Sequence, residues 1–228
     1  MSFDFSGWTL VFDLDGTLVE TAPDLHAALN HTLAHKGLDP VTLETIRMMI
    51  GDGAKAMIRK GLAYHDVAID HAEIDAELWP QFLDYYAANI TRLSRPFENS
   101  VACLSALKAA GATLAVCTNK AQGLAEQVLI GLGLETQFAA IVGGDELPVK
   151  KPDASHLLET IARSGGDQAR AIMIGDSQTD EKAARNAGLP FVFVSFGYGT
   201  LSGQPYERIR SIDHWRDMQQ ALSKLAAS

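Results

Sequence analysis

The sequence predicts an α/β protein, a parallel sheet wrapped by helices and interrupted after its first strand by an all-helical insert. Three observations carry this. Short, nearly continuous apolar runs rich in Val, Ile, Leu and Phe occupy 8–14, 112–118, 139–142, 171–174 and 190–195. Runs of that kind suit strands covered on both faces. Helical patterns ending near glycines fill the gaps between the later runs, and the interval 21–94 shows helical periodicity with no convincing strand.

In chain order, the first strand is 8–14. The insert follows. Pro23 suits a first helical turn, and Leu25, Leu29 and Leu33 repeat at i, i+4, i+8 until Gly37. A second helix is expected over 42–49 and a third after Gly53. The fourth, over 72–89, contains Pro80 and should be kinked or split. From residue 95 the chain alternates. Val101, Leu104 and Leu107 precede Gly111; Leu124, Val128 and Leu129 precede Gly131; Leu157, Leu158 and Ile161 precede Gly165. These are successive βαβ units. The expected division is a core of 1–19 and 95–228 with a helical domain of 20–94.

With 228 residues, 47% of them hydrophobic, the chain can bury a large core without disulfides or structural metals. Its net charge of -9 would repel a polyanion, which argues against nucleic-acid binding. No stretch reaches the roughly 18 apolar residues that a membrane helix needs, and the first seven residues carry no basic run. A cytoplasmic protein, monomeric or homodimeric, is expected. Cys103 and Cys117 are too far apart for a Cys-x-x-Cys site and read as reduced thiols.

As the first strand ends, the chain reads Phe12-Asp13-Leu14-Asp15-Gly16-Thr17-Leu18, which puts two carboxylates at the carboxyl edge of the sheet, where open α/β sheets bind ligands. Side chains alternate along a strand, so both should project to one side. Two acids so close repel, and a hard divalent cation such as Mg²⁺ is the simple remedy. Taken alone, the pair could merely cap the next element. Three later strand ends add matching groups. They are Thr118-Asn119-Lys120, Lys150-Lys151-Pro152, and Gly175-Asp176-Ser177-Gln178-Thr179-Asp180. Each has an ordinary reading as a turn, a solvated pair or a helix cap. Four such clusters in order exceed coincidence.

In these motifs the sequence resembles a phosphatase of the haloacid dehalogenase (HAD) superfamily over essentially its whole length. Asp13 to Thr17 resembles the first motif, Thr118 the second, Lys151 the third, and Gly175 to Asp180 the fourth. Ala154 stands where many relatives have a second proline. The resemblance implies a Rossmann-like parallel sheet core of the HAD type with an α-helical cap domain inserted after the first strand. It makes Asp13 the nucleophile that forms an aspartyl-phosphate and Asp15 the general acid and base. It implies Mg²⁺ held by Asp13, the Asp15 carbonyl and Asp176, with Thr118, Lys151 and groups at Asn119 on the phosphate oxygens. Asp180 would orient Lys151 or a metal-bound water. The presence of Asp15 favours phosphate chemistry, because dehalogenation has no such leaving group to protonate.

The insert string from Arg47 through Gly51, Asp52 and Gly53 to Lys55 is similar to the cap loop of phosphoglycolate phosphatases, as is Glu20 to Leu25. The two glycines allow close backbone approach, and Arg47 or Lys55 could meet a carboxylate on a small phosphorylated metabolite. Sugar phosphates, pyrophosphate, phosphate transfer to a sugar, or a non-catalytic phosphate-binding regulator are the alternatives. Gly-x-Ser-x-Gly fails because residue 179 is Thr, and His31 and His35 lack the acid of a zinc-protease helix.

Overall fold

A computed structural model describes residues 3–68 and 70–227. β1 (Thr9–Phe12) is buried along its whole length. The chain then turns at Gly16 into the two-residue β2 (Val19–Glu20), which pairs antiparallel with β3 (Arg95–Pro96). Everything helical between those two short strands is the insert. α1 (Ala22–His35) has Pro23 in its first turn and buries Leu25, Ala28, Leu29, Thr32 and Leu33 along one face. α2 (Leu43–Arg47) starts at Thr42, whose hydroxyl accepts the Thr45 N–H at 3.1 Å, and α3 (Ala54–Tyr64) follows Gly53.

α4 (His71–Glu73) continues through a π-helical stretch, Ile74–Leu78, into α5 (Trp79–Ala88). The break expected at Pro80 takes this form. Proline has no N–H to return to the preceding turn, and a wider turn ahead of it absorbs the mismatch without ending the helix.

The remaining chain alternates as its apolar pattern implies: α6 (Ser100–Ala109), β4 (Thr113–Cys117), α7 (Gln122–Gly131), β5 (Ala140–Val142), α8 (Ala154–Arg163), β6 (Ala171–Gly175), α9 (Gln178–Asn186) and β7 (Phe191–Val194). α7 ends at Gly131, as expected. Besides the two-residue β2 and β3, two elements lie outside the expected set. β8 (Ile209–Ile212) exposes Arg210 and Ser211, so it lacks a continuous apolar run, as befits the edge of a sheet. α10 (Met218–Ala226) does space Met218, Leu222 and Leu225 helically.

The six core strands are all parallel, in the order β5-β4-β1-β6-β7-β8. Phe12 pairs with Val116 on one side and Ile174 on the other, so β1, β4 and β6 end level. Leu10, Phe12, Val116 and Ile174 face α6, α7 and α10, while Val11, Ala115 and Met173 face α8 and α9. Burial on both faces explains why the runs read as continuous rather than alternating. The chain leaves β1 towards β4 and β5, then returns to β6 on the opposite side. The loops after β1, β4 and β6 therefore converge on one point, the switch in strand order.

Candidate active site

Asp13 extends β1 by one residue, for its N–H donates to the Ile174 carbonyl at 2.9 Å. Its side chain is thereby fixed at the sheet edge. The turn that follows needs Gly16, which has φ +82°; a Cβ there would lie 2.3 Å from Asp176 Oδ2. That close approach brings the loop after β6 against the loop after β1. Asp176 accepts the Tyr198 N–H at 2.6 Å and the Thr17 hydroxyl at 3.3 Å. Four residues on, Asp180 forms a capping box with Ser177 at the start of α9, taking the Ser177 hydroxyl and N–H on Oδ2.

Lys151 joins these loops. Its buried ammonium lies 2.6 Å from Asp180 Oδ1 and 2.8 Å from Asp13 Oδ1. Burial works against its charge, but Asp13 and Asp180 more than compensate and hold its proton on. One ammonium faces three buried acids, and the imbalance is visible at Asp13 and Asp176. Burial pushes Asp13 up to about 7 against the pull of Lys151. Asp176 is raised well above the ordinary carboxylate range by burial, then by the charges of Asp180 and Asp13.

Oxygens of Asp13, Asp176 and Asp180 lie within 4.8 Å of one another. Asp13 Oδ1 is buried and makes no hydrogen bond, its 2.8 Å contact with Lys151 being an ion pair only. Both oxygens of Asp180 are already engaged. A hard divalent cation fits this oxygen set: Asp13 Oδ1 accepts no hydrogen bond, Asp176 keeps lone pairs beside its contacts with Tyr198 and Thr17, and Asp180 is turned towards Lys151.

The loop after β4 supplies the other wall. Thr118 is buried, and its hydroxyl accepts the Lys120 N–H at 3.1 Å. The Asn119 side-chain amide donates to the carbonyls of Gly51 and Lys151, both at 3.1 Å, so it ties the insert loop to the core. Lys120 is the residue sequence reasoning missed. Its ammonium pairs with Asp15 at 3.0 and 3.2 Å and sits 4.7 Å over the Tyr86 ring of α5. Asp15 also accepts the Thr21 hydroxyl at 2.6 Å. A lysine just past a strand ordinarily reads as solvated. The one sequence cue was its place beside Thr118 and Asn119.

Between the sheet edge and the insert lies a cavity of about 420 Å³ that both Asp13 and Asp15 line. Gly51, Gly53 and Lys55 line it too. Arg47 does not. It pairs with Glu20 at 3.2 Å where the insert leaves the core. Lys55 is tied to Asp75 at 2.6 Å. At Gly53, φ is +90° and a Cβ would come within 3.1 Å of the Asn119 carbonyl, which accounts for the glycine at this close approach. Lys150 closes the same edge by donating to the Asp52 carbonyl at 2.7 Å.

Comparison with known proteins agrees with this geometry. Residues 10–194 match the haloacid dehalogenase-like hydrolase family. A phosphoglycolate phosphatase of Agrobacterium fabrum is 48% identical over 212 residues, covering 93% of this chain and 91% of its own. One from Caulobacter vibrioides is 48% identical over 195 residues, covering 86% and 82%. The crystal structure of a predicted phosphoglycolate phosphatase from Haemophilus somnus superposes with a TM-score of 0.84 at 29% identity, over 96% of this chain and 98% of that one. With its four motif loops gathered at one sheet edge and a family match across most of its length, the chain belongs to the haloacid dehalogenase-like hydrolases.

Proposed function

We propose that this protein is a Mg²⁺-dependent phosphomonoester hydrolase that works through an aspartyl-phosphate on Asp13, with 2-phosphoglycolate as substrate. The observation that carries the reading is the meeting of Asp13, Lys151 and Asp176 at one sheet edge, with Asp15 facing the same cavity. The sequence of events is short. A carboxylate oxygen of Asp13 attacks phosphorus as the ester P–O bond breaks, and Asp15 gives its proton to the leaving alcohol. Asp15 then takes a proton from the water that attacks the aspartyl-phosphate, which regenerates Asp13 and releases inorganic phosphate.

Lys151, the Thr118 hydroxyl and the backbone N–H groups near Asn119 hold the phosphoryl oxygens. Asp180 keeps the Lys151 ammonium aimed at the nucleophile. Asp13, Asp176 and the Asp15 carbonyl would hold Mg²⁺, which neutralises charge between the anionic attacker and the anionic ester. Residues 20–94 act as the cap that covers the reaction and excludes water. The substrate rests on the relatives in Agrobacterium and Caulobacter that carry the same name at 48% identity. A cytoplasmic setting fits the unpaired Cys103 and Cys117, whose thiols burial pushes up to about 12 and about 11.

Rapid-quench labelling with 2-[³²P]phosphoglycolate tests the scheme. Wild-type protein should give an acid-stable phosphoenzyme, EDTA should abolish it, and Asp13→Asn should lower kcat by about 10⁴ or more. Turnover without a labelled enzyme contradicts the two-step route. Equal kcat/KM on 2-phosphoglycolate, sugar phosphates and pyrophosphate contradicts the substrate.

A further inference from the structure

Four cationic side chains line the cavity, and three of them are already matched. Lys55 pairs with Asp75 at 2.6 Å, Lys120 with Asp15 at 3.0 Å, and Lys150 donates to the Asp52 carbonyl at 2.7 Å. The fourth is Arg59, on α3 one turn beyond Lys55. It is half-buried and makes no hydrogen bond or ion pair among the described residues. It feels the charge of Asp75, but that carboxylate is already paired with Lys55, so the half-buried guanidinium has no hydrogen-bonded anion of its own among the described residues.

We propose that Arg59 reads the carboxylate of the substrate, and so is the cap residue that selects a phosphorylated acid over a neutral phosphate ester. The inference rests on the phosphoglycolate reading above and names the group that would enforce it. Helical side chains lean towards the helix N-terminus, which carries Arg59 back over the turn of Lys55 and Ala56, both cavity-lining. That same end of α3 begins at Gly53, which offers no side chain to its first N–H groups. Lys150 loses basicity to burial, Asp52 offsets part of that loss and the Arg59 charge adds to it, so the positive charge on this rim of the cavity is only partly matched by protein groups. Ile50, Met57, Trp79 and Phe82 keep the surroundings apolar, where a charged pair is stronger than in water. Asp13 and Thr118 line the same cavity at the sheet edge. The site is thus two-ended, with phosphoryl chemistry at the sheet and an anion receptor on the cap. A planar guanidinium binds a carboxylate through two parallel hydrogen bonds, a fit that a sugar hydroxyl cannot match.

The test is the ratio of kcat/KM for 2-phosphoglycolate to that for ethyl phosphate, which has the same length and no carboxylate. Wild-type protein should show a large ratio. Arg59→Met should lower it about a hundredfold, and Arg59→Lys about tenfold, because an ammonium offers charge without the fork. A ratio unchanged in Arg59→Met overturns the assignment while leaving the substrate reading intact. Equal losses on both substrates, as misfolding would give, leave the ratio unchanged and count against it in the same way. A wild-type ratio near one overturns the phosphoglycolate reading and Arg59 together.

Discussion

His156 is wholly buried on α8, and its two ring nitrogens face different partners. Nδ1 accepts the Lys151 N–H at 3.2 Å, which leaves Nε2 to donate to the Gly143 carbonyl at 3.1 Å. Protonating Nδ1 would break the first contact. Burial, and then the Lys151 ammonium, push this imidazole down to about 4. A histidine with a depressed pKa contributes stability that is complete above its unfolded value near 6.5 and lost as pH falls towards 4. Denaturant unfolding should therefore show wild type weakening faster than His156→Gln across that window, by up to about 1.4 kcal/mol per pH unit. Parallel curves would refute the assignment. Neither this histidine nor Lys120 was legible in the chain. Thr118 and Asn119 could be marked because their strand was visible, whereas the Lys120 partners Asp15 and Tyr86 come from other parts of the fold.

At the scale of elements, the informative junction is where α1 leaves the core. Thr21 stands at the helix N-terminus, but its hydroxyl goes to Asp15 and caps nothing. Tyr198, from the loop after β7, supplies the cap instead. Its hydroxyl accepts the N–H groups of Thr21 and Ala22 at 2.8 and 3.0 Å and donates to Glu20 at 2.9 Å, while its own N–H donates to Asp176. One residue thus links a proposed metal ligand to the start of the insert. Removing the hydroxyl in Tyr198→Phe would leave two amides without an acceptor, a loss of about 1–3 kcal/mol in urea unfolding. An unchanged midpoint would mean water replaces the hydroxyl at no cost. Helix signals were readable at Pro23 and in the leucines of α1. The Tyr198 cap was not, because it spans more than 170 positions.

Over the whole molecule, a net charge of -9 includes three acids buried around one lysine. A bound divalent cation would relieve that repulsion in the folded state alone. Mg²⁺ at 100 times its Kd should add about 2.7 kcal/mol, a rise of roughly 5–10 °C in Tm for a chain of this size. Asp176→Asn should abolish the rise. Identical melting in Mg²⁺ and in EDTA would remove the case for a resident cation.

By itself the sequence determined the layered α/β order and the helical insert, because local apolar period and continuous buried runs are properties of neighbouring residues. It also marked Asp13, Thr118, Lys151 and Asp176, since each follows a visible strand. Only the tertiary structure decided that Arg47 faces Glu20 rather than the cavity, that Lys120 pairs with Asp15, and that Arg59 makes no hydrogen bond or ion pair among the described residues. Charge pairing depends on distance in space, and the packing of the insert against the sheet sets those distances.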